Sequence, residues 1–234
     1  MYNTPVKYSA VIPVHNEEGS VLPLYERLKT VLDGLGEPYE IIVVDDASTD
    51  ESLAKLESIR PDSPGLVVLS LKIRSGQSSA LQAGFDAARG EILITLDGDL
   101  QNDPEDIPKL LEKLKEGYDI VCGWRYDRKD AISKKIASLI ANAVRRALFK
   151  ETIHDVGCSL RVFKRSVLKE IFLSSEDHRF FTAFAAQQGF QIGEVEVRHH
   201  PRQHGKSKYG IWTRLIRGIL DLIKVKLSKP DDHG

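Results

Sequence analysis

The chain has 234 residues, which is enough for one large domain with a buried core. Lys and Arg total 33 and Asp and Glu total 34, so the net charge of -1 excludes a general attraction to nucleic acid. Two cysteines, Cys122 and Cys158, are typical of a reducing, cytoplasmic compartment and not of a disulfide scaffold. The N-terminus lacks the basic and apolar regions of a signal peptide, and no stretch has the roughly 18 apolar residues of a membrane-spanning helix.

Apolar, β-rich runs alternate with amphipathic helical patterns through the first half of the chain. Strands are predicted over 8–14, 40–45, 66–71, 92–96 and 119–123, with helices in the intervals between them. Such an alternation predicts right-handed crossovers and a mostly parallel, Rossmann-type α/β sheet flanked by helices. Ser48 and Glu51 have the spacing of a capping box, and Asp103-Pro104 has the pattern of a helix start. The fingerprints of dinucleotide dehydrogenases and P-loop NTPases are missing from this half.

The second half, from about residue 124, has a different pattern. Helices are predicted over 131–149 and 177–188. A turn running into a strand is predicted over 154–163, and a further strand over 191–198. The glycine-containing loop 199–209 is basic, and an amphipathic helix over 211–227 closes the chain. This last helix either packs on the core or lies in a membrane interface with its cations at the headgroups.

Acidic residues follow three of the predicted strands. They are Glu17 after the first strand, Asp45 and Asp46 after the second, and Asp97 and Asp99 after the fourth. The carboxyl ends of parallel strands share one edge of the sheet, so these groups are expected to face one crevice. Mg²⁺ typically takes one or two carboxylates plus substrate phosphates, and carboxylates also accept hydrogen bonds from a ribose or a base. The alternative is that each acid belongs to a turn or caps a helix, since a lone Asp-x-Asp is a weak signal.

Three cationic or donor-rich positions complement these acids. Arg74, Gly76 and Gln77 precede a predicted helix, whose N-terminus could bind a diphosphate, although an ordinary turn is equally consistent. Arg125 follows the fifth strand, where it is either a phosphate ligand or a solvated side chain. A later loop carries more cations, which predict a second anion site as opposed to a solvated loop or a metal site. Its residues are Arg202, Lys206 and Lys208, with His199, His200 and His204 around Gly205.

A set of ordered motifs resembles a known family. The segments are PVHNE, VVDDASTD, DGDLQNDPEDIP, GWRYDR, DVGCSLR, HRFF and HHPRQHGKSKYG, which span nearly the whole chain. Together they resemble the inverting family-2 glycosyltransferases of the GT-A fold. More narrowly, they resemble the polyprenyl-phosphate (dolichyl- or undecaprenyl-phosphate) glycosyltransferases, a group that includes dolichyl-phosphate mannosyltransferase. The resemblance implies one catalytic domain over 1–209, with a donor half to about 123 and an acceptor half after it, and an interfacial helix and tail over 210–234.

The resemblance also implies roles for individual residues. The nucleotide sugar donor would be bound by Pro13, His15, Glu17, Asp45, Asp46, Gly76, Gln77 and Asp97. Mg²⁺ or Mn²⁺ on its diphosphate would be held by Asp97, Asp99 and Gln101. The acceptor phosphate would be bound by Arg125, Lys134, Ser138, Arg202 and Lys206. Lys134 stands where the family has an arginine, which keeps the charge but loses the bidentate fork.

The implied chemistry needs positive charge more than a base. A phosphate monoester is already anionic at pH 7, so its attack on the sugar needs no proton removed. Asp97, Asp99 and Arg125 are therefore the expected catalytic residues, and Asp155 is expected to orient one of the cations. Many relatives continue into transmembrane helices, whereas this chain ends in SKPDDHG. The expectation is a peripheral enzyme on the cytoplasmic face of a membrane, a truncated enzyme, or one that needs a separate membrane-spanning partner.

Other functions fit the residues less well. A haloacid-dehalogenase-like phosphatase would have its Asp-x-Asp on an early strand, and a sugar-nucleotidyltransferase would have a glycine-rich loop after the first strand. A non-catalytic nucleotide-sugar-binding or membrane scaffold stays open, as does a glycosyltransferase with a saccharide acceptor. The motifs do not identify the sugar, the base or the lipid.

Overall fold

The computed structural model describes residues 5–126, 153–171 and 177–201. The strands in these ranges are β1 (Tyr8–Val14), β2 (Tyr39–Asp45), β3 (Leu66–Ser70), β4 (Ile92–Thr95), β5 (Ile120–Trp124), β6 (Arg161–Lys164) and β7 (Ile192–Glu196). The helices are α1 (Val21–Gly34), α2 (Ser52–Ile59), α3 (Gln77–Ala87), α4 (Ile107–Lys115) and α5 (Phe181–Gln187). The predicted helices over 131–149 and 211–227 lie outside the described residues, and so does the loop 199–209 beyond Pro201.

One sheet contains all seven strands, in the order β3-β2-β1-β4-β6-β5-β7. Neighbouring strands are parallel except at β6, which lies between β4 and β5 and is antiparallel to both. The predicted mostly parallel α/β sheet is therefore confirmed. The single reversed strand, β6, brings the turn that precedes it to the carboxyl ends of its two neighbours.

Apolar residues of the central strands alternate between the two faces of the sheet, as strand geometry requires. Ala10 and Ile12 of β1 face one hydrophobic cluster, which is shared with α1 and α4, and Val11 faces the other, which is shared with α3 and α5. Burial on both faces explains why these strands read as continuous apolar runs. Within the described ranges, no helix combines the length and apolar character needed to cross a bilayer.

The chain reverses its direction of travel across the sheet at β1. It goes outward from β1 through β2 to β3, and then returns to place β4 on the other side of β1. A crevice forms at such a switch point, outside the carboxyl ends of the strands, and it is the usual ligand position in open α/β sheets. The loops after β1 and β4, which carry Glu17 and Asp97, flank this point.

The predicted capping box is wrong. Helix α2 begins at Ser52, three residues later than a cap at Ser48 would place it, and its N-cap residue Glu51 makes no side-chain cap bond. The Ser48 hydroxyl instead accepts the backbone N–H of Asn16, at 3.0 Å, and so ties the loop after β2 to the loop after β1. The Asp103-Pro104 start is confirmed, since the Asp103 carboxylate accepts the backbone N–H of Glu105 at 3.1 Å.

Gly84 of α3 lets this helix pack directly on the sheet. A Cβ at this position would lie 2.3 Å from Val11 Cγ1 and 3.2 Å from Val44 Cγ2. We expect Gly84→Ala to destabilise the protein by about 1–3 kcal/mol, because overpacking outweighs the gain in helix propensity. Urea unfolding measures the change. Gly34→Ala is the control, since nothing lies within 4 Å of its Cβ, and it should be neutral or stabilising; equal effects of the two variants would contradict the packing explanation.

Candidate active site

A cavity of about 290 Å³ opens at the carboxyl edge of the sheet, beside the switch point. Its lining residues are Pro13, Val14, His15, Glu17, Asp46, Arg74, Gly76, Gln77, Ala80, Asp97, Gly98 and Asp99. Seven of the eight residues predicted to bind the donor are among them, and Asp45 is the exception. The structure therefore brings together residues from four separate loops, and the volume is near the lower end of the range for small-molecule sites.

The two carboxylates of Asp97-Gly98-Asp99 lie on the β4 side of this cavity. Gln77 Nε2 donates to Asp97 Oδ1 at 2.7 Å, and the backbone N–H of Gln101 donates to Asp99 Oδ1 at 3.2 Å. Loss of water around the Asp97 carboxyl, together with the nearby charge of Asp99, raises its pKa. A carboxylate whose ionisation is disfavoured by burial and by a neighbouring negative charge is a suitable ligand for a cation.

Backbone strain is concentrated in the loops that follow β1, β2 and β4. Asn16, Ala47 and Leu100 have φ angles of 58°, 52° and 60°, and they are the non-glycine residues with positive φ in the described ranges. Each lies just beyond the end of β1, β2 or β4. Ala and Leu rarely adopt this conformation, and strain of this kind, which costs about 1–3 kcal/mol per residue, clusters at ligand-binding sites.

Asp46 orders the loop that closes one side of the cavity. One of its carboxylate oxygens accepts the backbone N–H of Ser75 at 2.6 Å and the other accepts that of Gly76 at 2.9 Å. Gly76 has φ of 88°, a conformation that favours glycine. The sequence suggested that Asp46 binds the donor, and in the structure its carboxylate also holds the residues just before α3 in place.

Asp45 is placed differently from its neighbour. Its side chain is buried, with Oδ2 accepting the backbone N–H of Ser48 at 3.2 Å. Within the described residues its other oxygen, Oδ1, has no hydrogen-bond partner. Because Asp45 does not line the cavity, its donor-binding role rests on the motif alone.

Arg125 is held by a carboxylate, as expected for a positioned cation. Its Nε and Nη2 donate to the two oxygens of Asp155, at 2.6 and 2.8 Å, and both side chains are largely buried. Burial by itself would lower the pKa of Arg125, but the hydrogen bonds and charge of Asp155 raise it above the usual value. Gly157 makes room for this pair, since a Cβ there would lie 3.0 Å from Arg125 Nη2. The structure thus supports the expectation that Asp155 orients a cation.

Arg125 is the one predicted phosphate ligand that lies within the described residues. Lys134, Ser138, Arg202 and Lys206 lie outside the described residues. Gln101, predicted as a metal ligand, is not among the residues that line the cavity. Its Nε2 lies 3.5 Å from the backbone oxygen of His200, at the limit of a hydrogen bond.

Ser159 was missed by sequence reasoning. Its hydroxyl accepts hydrogen bonds from the backbone N–H of Asp97 at 3.2 Å and from Asn102 Nδ2 at 2.7 Å, so it contacts the start of the acidic motif and a residue three positions beyond its end. It lies 62 positions after Asp97 in the chain, and no local spacing could have linked them. Arg74, noted only as one possible donor, is exposed and lines the cavity.

The residues present fit a divalent cation that shares its ligands with a substrate. Among the described residues, no group of three or more His, Cys, Asp or Glu side chains is arranged to hold a metal ion by itself. Two carboxylate oxygens with the remaining positions left to phosphates and water are, however, the usual arrangement for Mg²⁺ in nucleotide sites. The negative charge of Asp99 helps to raise the pKa of Asp97, and a divalent cation bound by both carboxylates would offset their repulsion.

Comparisons with known proteins place this geometry in a family. The protein-family model for Glycosyl transferase family 2 matches residues 9–172 of this chain. The chain is 42% identical over 231 residues to dodecaprenyl-phosphate galacturonate synthase of Rhizobium johnstonii, with 95% of this chain and 68% of that protein covered. It is 39% identical over 224 residues to undecaprenyl-phosphate 4-deoxy-4-formamido-L-arabinose transferase of Edwardsiella ictaluri, again with 95% and 68% covered.

Solved structures share the fold at lower identity. Glucosyl-3-phosphoglycerate synthase of Mycobacterium tuberculosis, in complex with Mn²⁺, uridine diphosphate and phosphoglyceric acid, superposes with a TM-score of 0.73 and 21% identity. The match covers 97% of this chain and 80% of that one, and it shows a GT-A-like fold. The family model and the two relatives, taken with the acidic motif at the switch point, show that the chain is a glycosyltransferase that belongs to glycosyl transferase family 2.

Proposed function

We propose that this enzyme transfers a sugar, with inversion, from a nucleoside diphosphate sugar to a polyprenyl phosphate, using Mg²⁺ or Mn²⁺. The observation that carries the proposal is the carboxylate pair Asp97 and Asp99 in a cavity lined by the predicted donor-binding residues. The names of both sequence relatives combine a polyprenyl phosphate with a sugar, which supports this acceptor class. A structural neighbour holds Mn²⁺ with uridine diphosphate, which supports the metal and a uridine donor.

In this proposal the donor occupies the cavity at the switch point. Asp97 and Asp99, with Gln101, would hold the divalent cation, which when bound would supply positive charge beside the departing nucleoside diphosphate. His15 and Glu17 offer polar groups from the β1 side, where His15 Nδ1 lies 2.8 Å from the backbone oxygen of Asp46. Gln77 orients Asp97 through its 2.7 Å hydrogen bond, so one oxygen of that carboxylate has a fixed direction before any ligand binds.

Arg125 acts on the acceptor side. Asp155 engages Nε and Nη2 of the guanidinium, so within the described part of the chain Nη1 is the nitrogen left for an acceptor phosphate. A buried, oriented guanidinium binds phosphate more strongly than a mobile cation, because little side-chain entropy is lost. Lys134, Ser138, Arg202 and Lys206 are proposed to complete the phosphate site. The attacking phosphate oxygen is already anionic, so no side chain is assigned as base.

The acceptor class also implies where the enzyme works. A polyprenyl phosphate is confined to a bilayer, so the cavity has to open near the membrane surface. We propose peripheral attachment at the cytoplasmic face, through the amphipathic pattern over 211–227 or a separate membrane-spanning partner.

Ligand-induced stabilisation followed by transfer tests the proposal. We expect a nucleotide with Mn²⁺ to raise Tm by mass action, in a panel of UDP, UDP-glucose, UDP-N-acetylglucosamine and GDP-mannose. The donor found in this way, carrying a radiolabelled sugar, should label undecaprenyl phosphate in vesicles, and EDTA should abolish the labelling. Label on a soluble saccharide, with none on the lipid, would favour a saccharide acceptor. Stabilisation without transfer to any acceptor would favour a nucleotide-sugar-binding protein.

A further inference from the structure

The segment just after the acidic motif is joined to the end of β7 by a network that the proposed mechanism does not use. The network links residues 101–106 to residues 198–200, and its contacts are called the brace below. The backbone N–H of His200 donates to the Gln101 oxygen at 2.9 Å, and Asn102 and His199 form an isolated antiparallel bridge. Gln101 follows Asp99 by two positions, and Arg202 follows His200 by two. The brace therefore joins the residues just after the Asp97-Gly98-Asp99 motif to the start of the basic loop 199–209, which is called the basic segment below.

Two buried carboxylates reinforce these backbone contacts. Asp103 and Asp106 are 2% and 0% exposed. Asp106 Oδ2 accepts the backbone N–H of Arg198 at 2.7 Å, and Asp103 Oδ2 lies 3.1 Å from His200 Nε2 and 3.3 Å from Arg198 Nε. Buried carboxylates are costly unless they are paired and hydrogen-bonded, so these contacts hold residues 198–200 strongly.

The two oxygens of Asp103 face different parts of the protein. Oδ1 contacts Arg27 of α1 at 2.6 Å and accepts the backbone N–H of Glu105 at 3.1 Å. Oδ2 faces Arg198 and His200. Oδ1 thus joins α1 to the helical segment that begins at Pro104. Oδ2 fixes the start of the basic segment.

We propose that Asp103 is a positioning residue for acceptor binding, which sets the start of the basic segment relative to the Asp97-Gly98-Asp99 motif. The proposal rests on the proposed function, since Arg202 and Lys206 are phosphate ligands only if the acceptor is a phosphate. Its physical content is that residues 198–200, which directly precede the predicted phosphate ligands in the chain, are ordered before the acceptor binds. Ordering that is present before binding does not have to be supplied by the ligand, and affinity rises accordingly.

The test compares two changes at the same carboxylate. Asp103→Asn retains an oxygen for Glu105 and places an amide donor opposite Arg198 and His200, so the side-chain contacts of the brace with these two residues should be lost. We expect KM for undecaprenyl phosphate to rise about tenfold, the effect of losing a hydrogen bond to a charged group, while KM for the nucleotide sugar stays within about twofold. Arg27→Met removes the partner of the other oxygen. We expect Arg27→Met to lower Tm by about as much as Asp103→Asn does, and to leave KM for the lipid unchanged.

Hydrogen exchange followed by mass spectrometry supplies a readout that does not depend on transfer. Peptides covering residues 194–201 should exchange faster in Asp103→Asn and at the wild-type rate in Arg27→Met. If the enzyme transfers no sugar to the lipid while exchange changes as expected, the brace is real and the proposed function is wrong.

Other outcomes would overturn the positioning role itself. Equal KM changes for both substrates in Asp103→Asn, or the same changes in Arg27→Met, would show that Asp103 only stabilises the fold. His200→Phe is the second variant if Asp103→Asn does not fold, because it removes one side-chain contact and keeps both carboxylates. It should raise KM for the lipid about threefold, as expected for loss of a weaker hydrogen bond, and an unchanged KM would refute the proposal.

Discussion

Asp99→Ala is expected to abolish sugar transfer without unfolding the protein. The side chain is 7% exposed and lines the cavity beside Asp97, so its loss removes one of the two carboxylates proposed to hold the metal ion. A loss of about 10²- to 10³-fold in turnover is expected, since the loss of one electrostatically stabilising group in a buried site typically has this size. Transfer of labelled sugar in the presence of Mn²⁺ measures it, and Mn²⁺ binding with UDP, followed by electron paramagnetic resonance, should be lost in parallel.

The stability of this variant distinguishes a functional carboxylate from a structural one. The charge of Asp99 helps to raise the pKa of Asp97, so the two carboxylates repel each other in the absence of metal. Removing Asp99 relieves that repulsion but also removes the acceptor of the Gln101 N–H, so without metal Tm should change little. Asp86→Ala is the control, because Asp86 lies on the exposed side of α3 and contacts Gln82. Full turnover by a folded Asp99→Ala variant would refute the metal assignment.

Arg125→Lys should raise KM for the lipid phosphate by about 10- to 100-fold and leave KM for the donor nearly unchanged. A lysine retains the charge but cannot form the two parallel hydrogen bonds to Asp155 at 2.6 and 2.8 Å. Its ammonium would therefore be held less firmly, and phosphate binding would lose both geometry and strength. Steady-state kinetics with the lipid as the varied substrate measures the change.

Asp155→Asn separates orientation of Arg125 from base catalysis. If Asp155 only positions the guanidinium, this variant should resemble Arg125→Lys in raising KM for the lipid, and the pH profile of kcat should keep its wild-type shape. A base at this position would instead lower kcat strongly and remove the acidic limb of the profile. Asp119→Asn is the matched control, because it breaks an ion pair with Lys164, at 2.9 Å, at the opposite edge of the sheet.

The local signals in the sequence were reliable where the local chain determines the structure. The bounds predicted for β1, 8–14, agree with Tyr8–Val14, because an apolar run buried on both faces has few alternatives. Asp103-Pro104 begins a helical segment as predicted, because an N-cap and a fixed φ act within a few residues. Ser48 failed as a cap, since its hydroxyl bonds to Asn16, 32 positions away.

The acidic strand ends were correctly expected to meet, because parallel strands place their carboxyl ends on one edge. The sequence by itself determined the fold class, through strand periodicity. The position of Asp97-Gly98-Asp99 after a strand also determined that the site lies at the carboxyl edge of the sheet and which residue types line it. Only the tertiary structure decided which partner each group has. Asp46 binds the loop before α3, Ser159 supports Asp97 from 62 positions away, and Asp155 holds Arg125. The Ser159 and Asp155 pairings depend on how β6 inserts between β4 and β5, and hydrogen bonds between distant segments leave no periodic trace in the sequence.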